Sequence, residues 1–186
     1  KSIKKGNFTM GRYLSSSISL VIILVCFAIN SLFGLGKSNT VLVGMIDWKE
    51  VTYPDFGIRF FLPKDMNTTE LENGPFSALV GTTDDGVTMV IQGSPQSVTL
   101  DGLEEWVLED LEIDGESFEL IDQEESFHNL TYRLYMNVGN EVSYWIMVAR
   151  NLKQDYSYVV YVQTPTKLAD TYQTAFLFWF TNIYGL

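Results

Sequence analysis

Between residues 118 and 164 four strand-like runs follow one another with almost nothing between them, and this spacing limits the fold more than any other feature of the chain. The runs cover residues 118–127, 130–138, 142–150 and 156–164, joined by His128-Asn129, by Gly139-Asn140-Glu141 and by residues 151–155. A parallel neighbour needs a crossover of roughly a dozen residues, and no such segment fits here. Successive strands must therefore pair antiparallel, as a meander. Within the second run Tyr132, Leu134 and Met136 alternate with Arg133, Tyr135 and Asn137. One face goes to the core and the other to solvent or to a neighbouring layer.

The preceding segment is punctuated in the same way. Residues 48–53 alternate as a strand does, Pro54, Asp55 and Gly57 supply a turn, and residues 58–62 resume as a strand stopped by Pro63. Residues 66–75 are polar and hold Asn67, Thr68, Thr69, Asn73 and Gly74, a composition that reads as a loop. Residues 76–82 and 87–92 form two apolar runs around Asp84-Asp85-Gly86, a strong hairpin signal.

Two segments switch to helical spacing. In residues 99–113, Leu100, Leu103, Trp106, Val107 and Leu111 make one apolar stripe, with Thr99 or Asp101 available as the cap and Gly115 as the stop. Residues 166–184 repeat the pattern with Leu168, Tyr172, Phe176, Phe180 and Ile183 behind Pro165. Both stripes need an apolar partner, and the sheet is the only one on offer. The expectation is an α+β fold: an antiparallel sheet of about six strands or more with amphipathic helices packed on it, an α/β/α-type sandwich, preceded by one N-terminal hydrophobic helix.

Charge divides the chain. All 23 acidic residues and seven of the 12 basic ones lie after residue 40, a charge of −16, whereas the leader holds Lys1, Lys4, Lys5, Arg12 and Lys37 and no acid. Residues 18–36 carry no charge and are just long enough, as a helix, to cross a hydrocarbon core of ~30 Å. Their apolar centre, 18–29, has the length of a signal-peptide core, so a membrane anchor, a cleaved signal and a buried core helix all remain open. The reading taken is a basic cytoplasmic flank at 1–17, an anchor or signal at 18–36, a linker at 37–46 and one domain at 47–186. The expected location is the cell membrane, single-pass with the C-terminal domain outside the cytoplasm, or secretion if the leader is removed. The acidic body excludes nucleic acid as a partner, because phosphates repel it. Cys26 is the sole cysteine, so the body has no internal disulfide.

The opening Trp48-x-x-x-x-Tyr53, the strand Phe56-Gly57-Ile58-x-Phe60-x-x-Pro63, the Leu103-x-x-Trp106 helix, the long meander and a final Tyr172-x-x-x-Phe176 helix together resemble the PsbP-like fold. That fold is shared by an extrinsic photosystem II subunit, a Ran-binding nuclear-import factor and exported bacterial proteins of the DcrB type. The resemblance covers residues 47–186 and rests on element order and a few aromatic and proline positions. It implies a non-catalytic binding or assembly module with a protein partner, and it carries over no functional residue.

Catalytic groups are scarce. His128 is the only histidine, and no Gly-x-Ser-x-Gly elbow occurs, so neither serine catalysis nor imidazole-based metal chemistry has its usual parts, and no enzyme activity or cofactor is expected. Asp84 and Asp85, behind Thr82 and Thr83, offer hard oxygen ligands for a cation or simply shape the turn before Gly86. Asn67-Thr68-Thr69 and Asn129-Leu130-Thr131 fit the glycosylation pattern. The run Phe176, Leu177, Phe178, Trp179 and Phe180 surrounds a helix, so one sheet cannot cover it. Either loops or the linker wrap its outer side, or Phe176, Leu177, Phe178 and Trp179 form an apolar surface for a partner or for lipid. As an alternative function, Tyr132, Tyr135, Tyr144, Trp145, Tyr158 and Tyr161 line a concave sheet face that carries a small ligand or lipid.

Overall fold

The computed structural model describes residues 46–73, 76–94, 98–110 and 118–186. The flank at 1–17, the segment at 18–36, the linker up to residue 45 and the helix stop at Gly115 lie outside the described residues. Among the described residues no helix is long and apolar enough to cross a membrane.

Strand β1 (Trp48–Tyr53) folds back on β2 (Ile58–Pro63), with Tyr53 opposite Ile58. The tight return needs a residue in the left-handed region, and Gly57 supplies it at φ 60°, donating its N–H to Pro54 O at 3.0 Å. Next come β3 (Asn67–Asn73), β4 (Phe76–Thr82), β5 (Thr88–Ser94) and helix α1 (Leu100–Asp110). The meander is β6 (Glu119–Phe127), β7 (Leu130–Val138), β8 (Val142–Asn151) and β9 (Ser157–Pro165). Helix α2 (Thr166–Thr181) and the short β10 (Tyr184–Gly185) complete the chain.

Two antiparallel sheets result. One is β1-β2-β10, and the other is seven-stranded in the order β3-β4-β5-β9-β8-β7-β6. The β5–β9 pairing joins the β3-β4-β5 hairpins to the last strand of the meander. The centre of the large sheet is covered on both faces, so β9 is buried along nearly its whole length. On one face Tyr158, Val160 and Val162 meet Phe176, Trp179 and Phe180 of α2 and Ile58, Phe60 and Leu62 of β2. On the other, Val159 and Tyr161 meet Leu103 and Val107 of α1. The fold is thus the expected α+β sandwich, with a small second sheet sharing one face with α2.

Both helix starts are tied down locally. Thr99 Oγ1 accepts the N–H of Gly102 at 3.1 Å and so caps α1. Thr166 donates its N–H to Glu141 O at 2.9 Å and its hydroxyl to Gly139 O at 2.9 Å, which anchors α2 on the β7–β8 turn.

Two expectations are corrected. Within the segment 66–75, expected as a loop, Asn67–Asn73 is a strand that pairs along its length with β4. Its polar composition is misleading because residues 67–71 are exposed on both faces, so the strand is held by backbone pairing and has no need of an apolar stripe. The outer side of α2 meets, among the described residues, a strand pair that its spacing does not announce. Phe178 packs on Trp48 of β1 at 5.1 Å and on Phe61 of β2 at 6.5 Å between ring centroids, so the small sheet covers it.

Candidate functional site

The expected partner surface on α2 is mostly interior. Phe176 and Trp179 are 1% and 0% exposed, Phe178 is half-buried, and only Leu177, at 37%, reaches solvent. The six aromatics do not share a face either. Tyr132, Trp145 and Tyr158 point to the α2 side, whereas Tyr135, Tyr144 and Tyr161 point to the α1 side. Period-two alternation forces this split, because Tyr132 and Tyr135, Tyr144 and Trp145, and Tyr158 and Tyr161 are each an odd number of residues apart. Beside Tyr135, between Ile146, Val148 and the helix, the cavity is about 50 Å³.

A larger concavity lies where the two sheets meet. It encloses about 650 Å³ between Ile46 and Asp47 ahead of β1, Pro63, Lys64 and Asp65 after β2, Thr83, Asp84 and Asp85 in the β4–β5 turn, and Tyr172 of α2. Each wall is fixed by main-chain bonds. Lys64 donates its N–H to Asp47 O at 2.8 Å, and its ammonium meets Asp47 Oδ2 at 2.8 Å. In the turn Thr83 accepts from Gly86 N at 3.1 Å through its carbonyl and from Val87 N at 3.2 Å through its hydroxyl. Gly86 stands at φ 92°, a conformation that a side chain would strain.

The cleft is strongly negative. Four aspartates face one ammonium, which is already paired with Asp47. Asp85 accepts from the Thr83 hydroxyl at 2.5 Å and from the Tyr172 hydroxyl. Burial, and then the bond to Asp85, push the Tyr172 phenol above its ordinary value. Tyr172 therefore stays neutral and serves as a fixed donor. Asp84 and Asp85 do sit together in this turn, but among the described residues no three His, Cys, Asp or Glu side chains form a metal-ligand group.

His128 is not part of the cleft. It forms the β6–β7 turn with Asn129, at φ 52° and 64°, the double left-handed geometry of a two-residue hairpin. Its ring stacks between Phe127 and Tyr184 at centroid distances of 3.9 and 4.0 Å. Burial and the nearby Arg59 lower its pKa below 6.5. Among the described residues no nucleophile is paired with it. On the opposite side of the large sheet, Arg133 bridges Asp101 at 2.7 Å and Glu104 at 3.0 Å, and the Tyr135 hydroxyl donates to Glu104 at 2.6 Å. Part of the acidic face of α1 is thereby engaged in holding the helix on β7.

Sequence reasoning missed the cleft as a unit. Asp84 and Asp85 were visible as a pair, but Tyr172 lies 87 residues from Asp85, and nothing local announces such a meeting. The one available signal was Lys64-Asp65 directly after the strand-stopping Pro63.

No protein-family model matches the chain and no curated protein matches its sequence. The solution structure of cyanobacterial PsbP (CyanoP) from Synechocystis sp. PCC 6803 superposes with a TM-score of 0.56 at 15% identity, over 82% of this chain and 99% of that one. The chain has the PsbP-like fold. The crystal structure of the Ran-binding protein Mog1p from Saccharomyces cerevisiae superposes less well, at 0.49 and 13% identity over 75% of this chain and 96% of that one. At such identities the PsbP-like likeness concerns the fold and leaves the site chemistry to this chain's own residues.

Proposed function

We propose that this chain is a non-catalytic protein-binding or assembly module, tethered to a membrane by residues 18–36 with residues 47–186 outside the cytoplasm, and that the acidic cleft receives a cationic segment of its partner. The observation that carries this reading is the composition of the cleft: four aspartates, one ammonium and no paired nucleophile and base among its lining residues. Ile46, at the end of the linker, lines the cleft. A ten-residue linker reaches roughly 35 Å when fully extended, so a tethered body would keep the cleft close to the bilayer, within reach of another membrane-associated protein. The PsbP-like resemblance points the same way. The carrier reading gains no support, because its six aromatics divide between two cores and the cavity beside Tyr135 is about 50 Å³.

A photo-crosslinking residue at Thr83, introduced into the full chain in native membranes, tests the binding half. A principal protein adduct is expected, weakened by high salt and by Asp65→Asn combined with Asp84→Asn. An adduct indifferent to both would remove the cleft from the argument. A reporter fused after Leu186 tests the topology, and reporter activity in the cytosol would overturn the tethering.

A further inference from the structure

We infer that Asn67 is an acceptor for an N-linked oligosaccharide, and that the fold withholds Asn129, which carries the same three-residue pattern. The inference rests on the proposed export of residues 47–186, since glycan transfer of this type takes place on the far side of the membrane.

In sequence Asn67-Thr68-Thr69 and Asn129-Leu130-Thr131 are equivalent. The structure separates them. Asn67 opens β3, the edge strand of the large sheet, whose one neighbour is β4. Residues 64, 65 and 67–71 are all exposed and only Met66 among residues 64–71 is buried, at 4%, so lifting the first part of β3 into a transferase breaks backbone pairs and draws out one core side chain at the strand's end. Asp65, two positions before Asn67, is exposed and charged. Before Asn129 that position is Phe127.

Asn129 is committed elsewhere. Its Nδ2 donates to Gly185 O at 2.8 Å, and its carbonyl accepts the N–H of Leu152 at 2.8 Å. Leu130, the middle residue of the pattern, is 1% exposed in the main core. Presenting this site means releasing β10 and unpairing β7 from β8.

The transfer is redox-neutral. Asn67 Nδ2 attacks the anomeric carbon of a polyprenyl-pyrophosphate-linked oligosaccharide and a C–N bond forms. The bond from that carbon to the pyrophosphate oxygen breaks, the pyrophosphate leaves with the electron pair, and the amide proton passes to a base of the transferase.

The test incubates the folded full chain, in detergent, with a bacterial single-subunit oligosaccharyltransferase and its lipid-linked donor, read by intact mass and peptide mapping. One glycan on Asn67 is expected, lost in Asn67→Gln and in Thr69→Ala and retained in Asn129→Gln. Transfer to Asn129 overturns the inference, as does no transfer to the folded chain beside a control acceptor that is modified. Co-expression in a bacterium whose transferase faces the periplasm then addresses export. A chain that accepts glycan when purified and emerges bare from those cells leaves Asn67 as an acceptor and defeats the export reading.

Discussion

Trp179 donates its indole N–H to the main-chain oxygen of Phe61, so helix α2 is hydrogen-bonded to the small sheet while its other side packs on the large one. This bond makes the aromatic run of α2 an internal joint. Truncating it should cost stability in order of burial. Trp179→Ala should destabilise by about 3–5 kcal/mol, as expected for a large aromatic removed from a core. Trp179→Phe keeps most of the volume but orphans the Phe61 carbonyl, at about 1–3 kcal/mol. Phe178→Ala should fall below Trp179→Ala, and Leu177→Ala should stay within about 0.5 kcal/mol. Urea denaturation of the full chain measures the series, and equal costs at Leu177 and Trp179 would contradict the placement of the helix.

Most of the element order was legible in the sequence because turn residues and apolar spacing report local geometry directly; β3, which carries no apolar stripe, and β10, whose Tyr184 read as the end of the last helix, were not. Asp84-Asp85-Gly86 and His128-Asn129 each close a hairpin where their chemistry says they should. What could not be read was anything decided between distant elements. The five apolar residues of 176–180 require two coverings, but nothing in their spacing says that the second is β1–β2. The six sheet aromatics were a different matter, since alternation alone assigns Tyr144 and Trp145 to opposite faces. The cleft depends on the docking of α2 against the β4–β5 turn, and no short-range pattern encodes that contact.

The edge strand β3 offers a second measurement. Its residues 67–71 bury no side chain, and the Tyr53 hydroxyl bond to Glu70 ties it to the small sheet. Amide hydrogens that β3 donates to β4 should exchange through local opening, orders of magnitude faster than those of β9, which open only with the whole domain. Hydrogen exchange resolved by peptide mass would detect this, and equal protection of the two strands would mean that β3 is covered by something else.

Asn151 links two turns, the one between β1 and β2 and the one between β8 and β9. Its Nδ2 donates to Gly57 O at 3.0 Å, and its Oδ1 accepts the N–H groups of Lys153 at 2.8 Å and Gln154 at 3.2 Å. Asn151→Ala should cost about 1–3 kcal/mol, because Gly57 O loses one of its donors and the amides of Lys153 and Gln154 lose their acceptor. Asn151→Asp separates the two halves of the role. It keeps an acceptor for the β8–β9 turn but faces the Gly57 carbonyl with a carboxylate. Thermal unfolding at neutral pH should therefore show Asp no better than Ala; recovery of wild-type stability by Asp would mean that the bond to Gly57 is unimportant.

His128 makes the domain sensitive to mild acid. Its ring is held between Phe127 and Tyr184, with the Arg59 guanidinium 4.4 Å from the Tyr184 ring, and burial followed by Arg59 lowers its pKa. The unfolded chain thus takes up this proton first as pH falls, so protonation favours unfolding. The neutral ring's contribution is complete above the unfolded value near 6.5 and declines as pH drops through it toward the lowered folded value. The C-terminal clasp is where the loss should be felt, since Gly185 N donates to His128 O at 2.8 Å. Asn tolerates a positive φ, so His128→Asn removes the titrating group without straining the turn. Both proteins carry the same carboxylates, so comparing how far each midpoint moves between about pH 7.5 and about pH 5.5 isolates the histidine. Wild type should lose more stability than His128→Asn across that interval, and parallel losses would show that the ring is no more perturbed in the fold than in the unfolded chain.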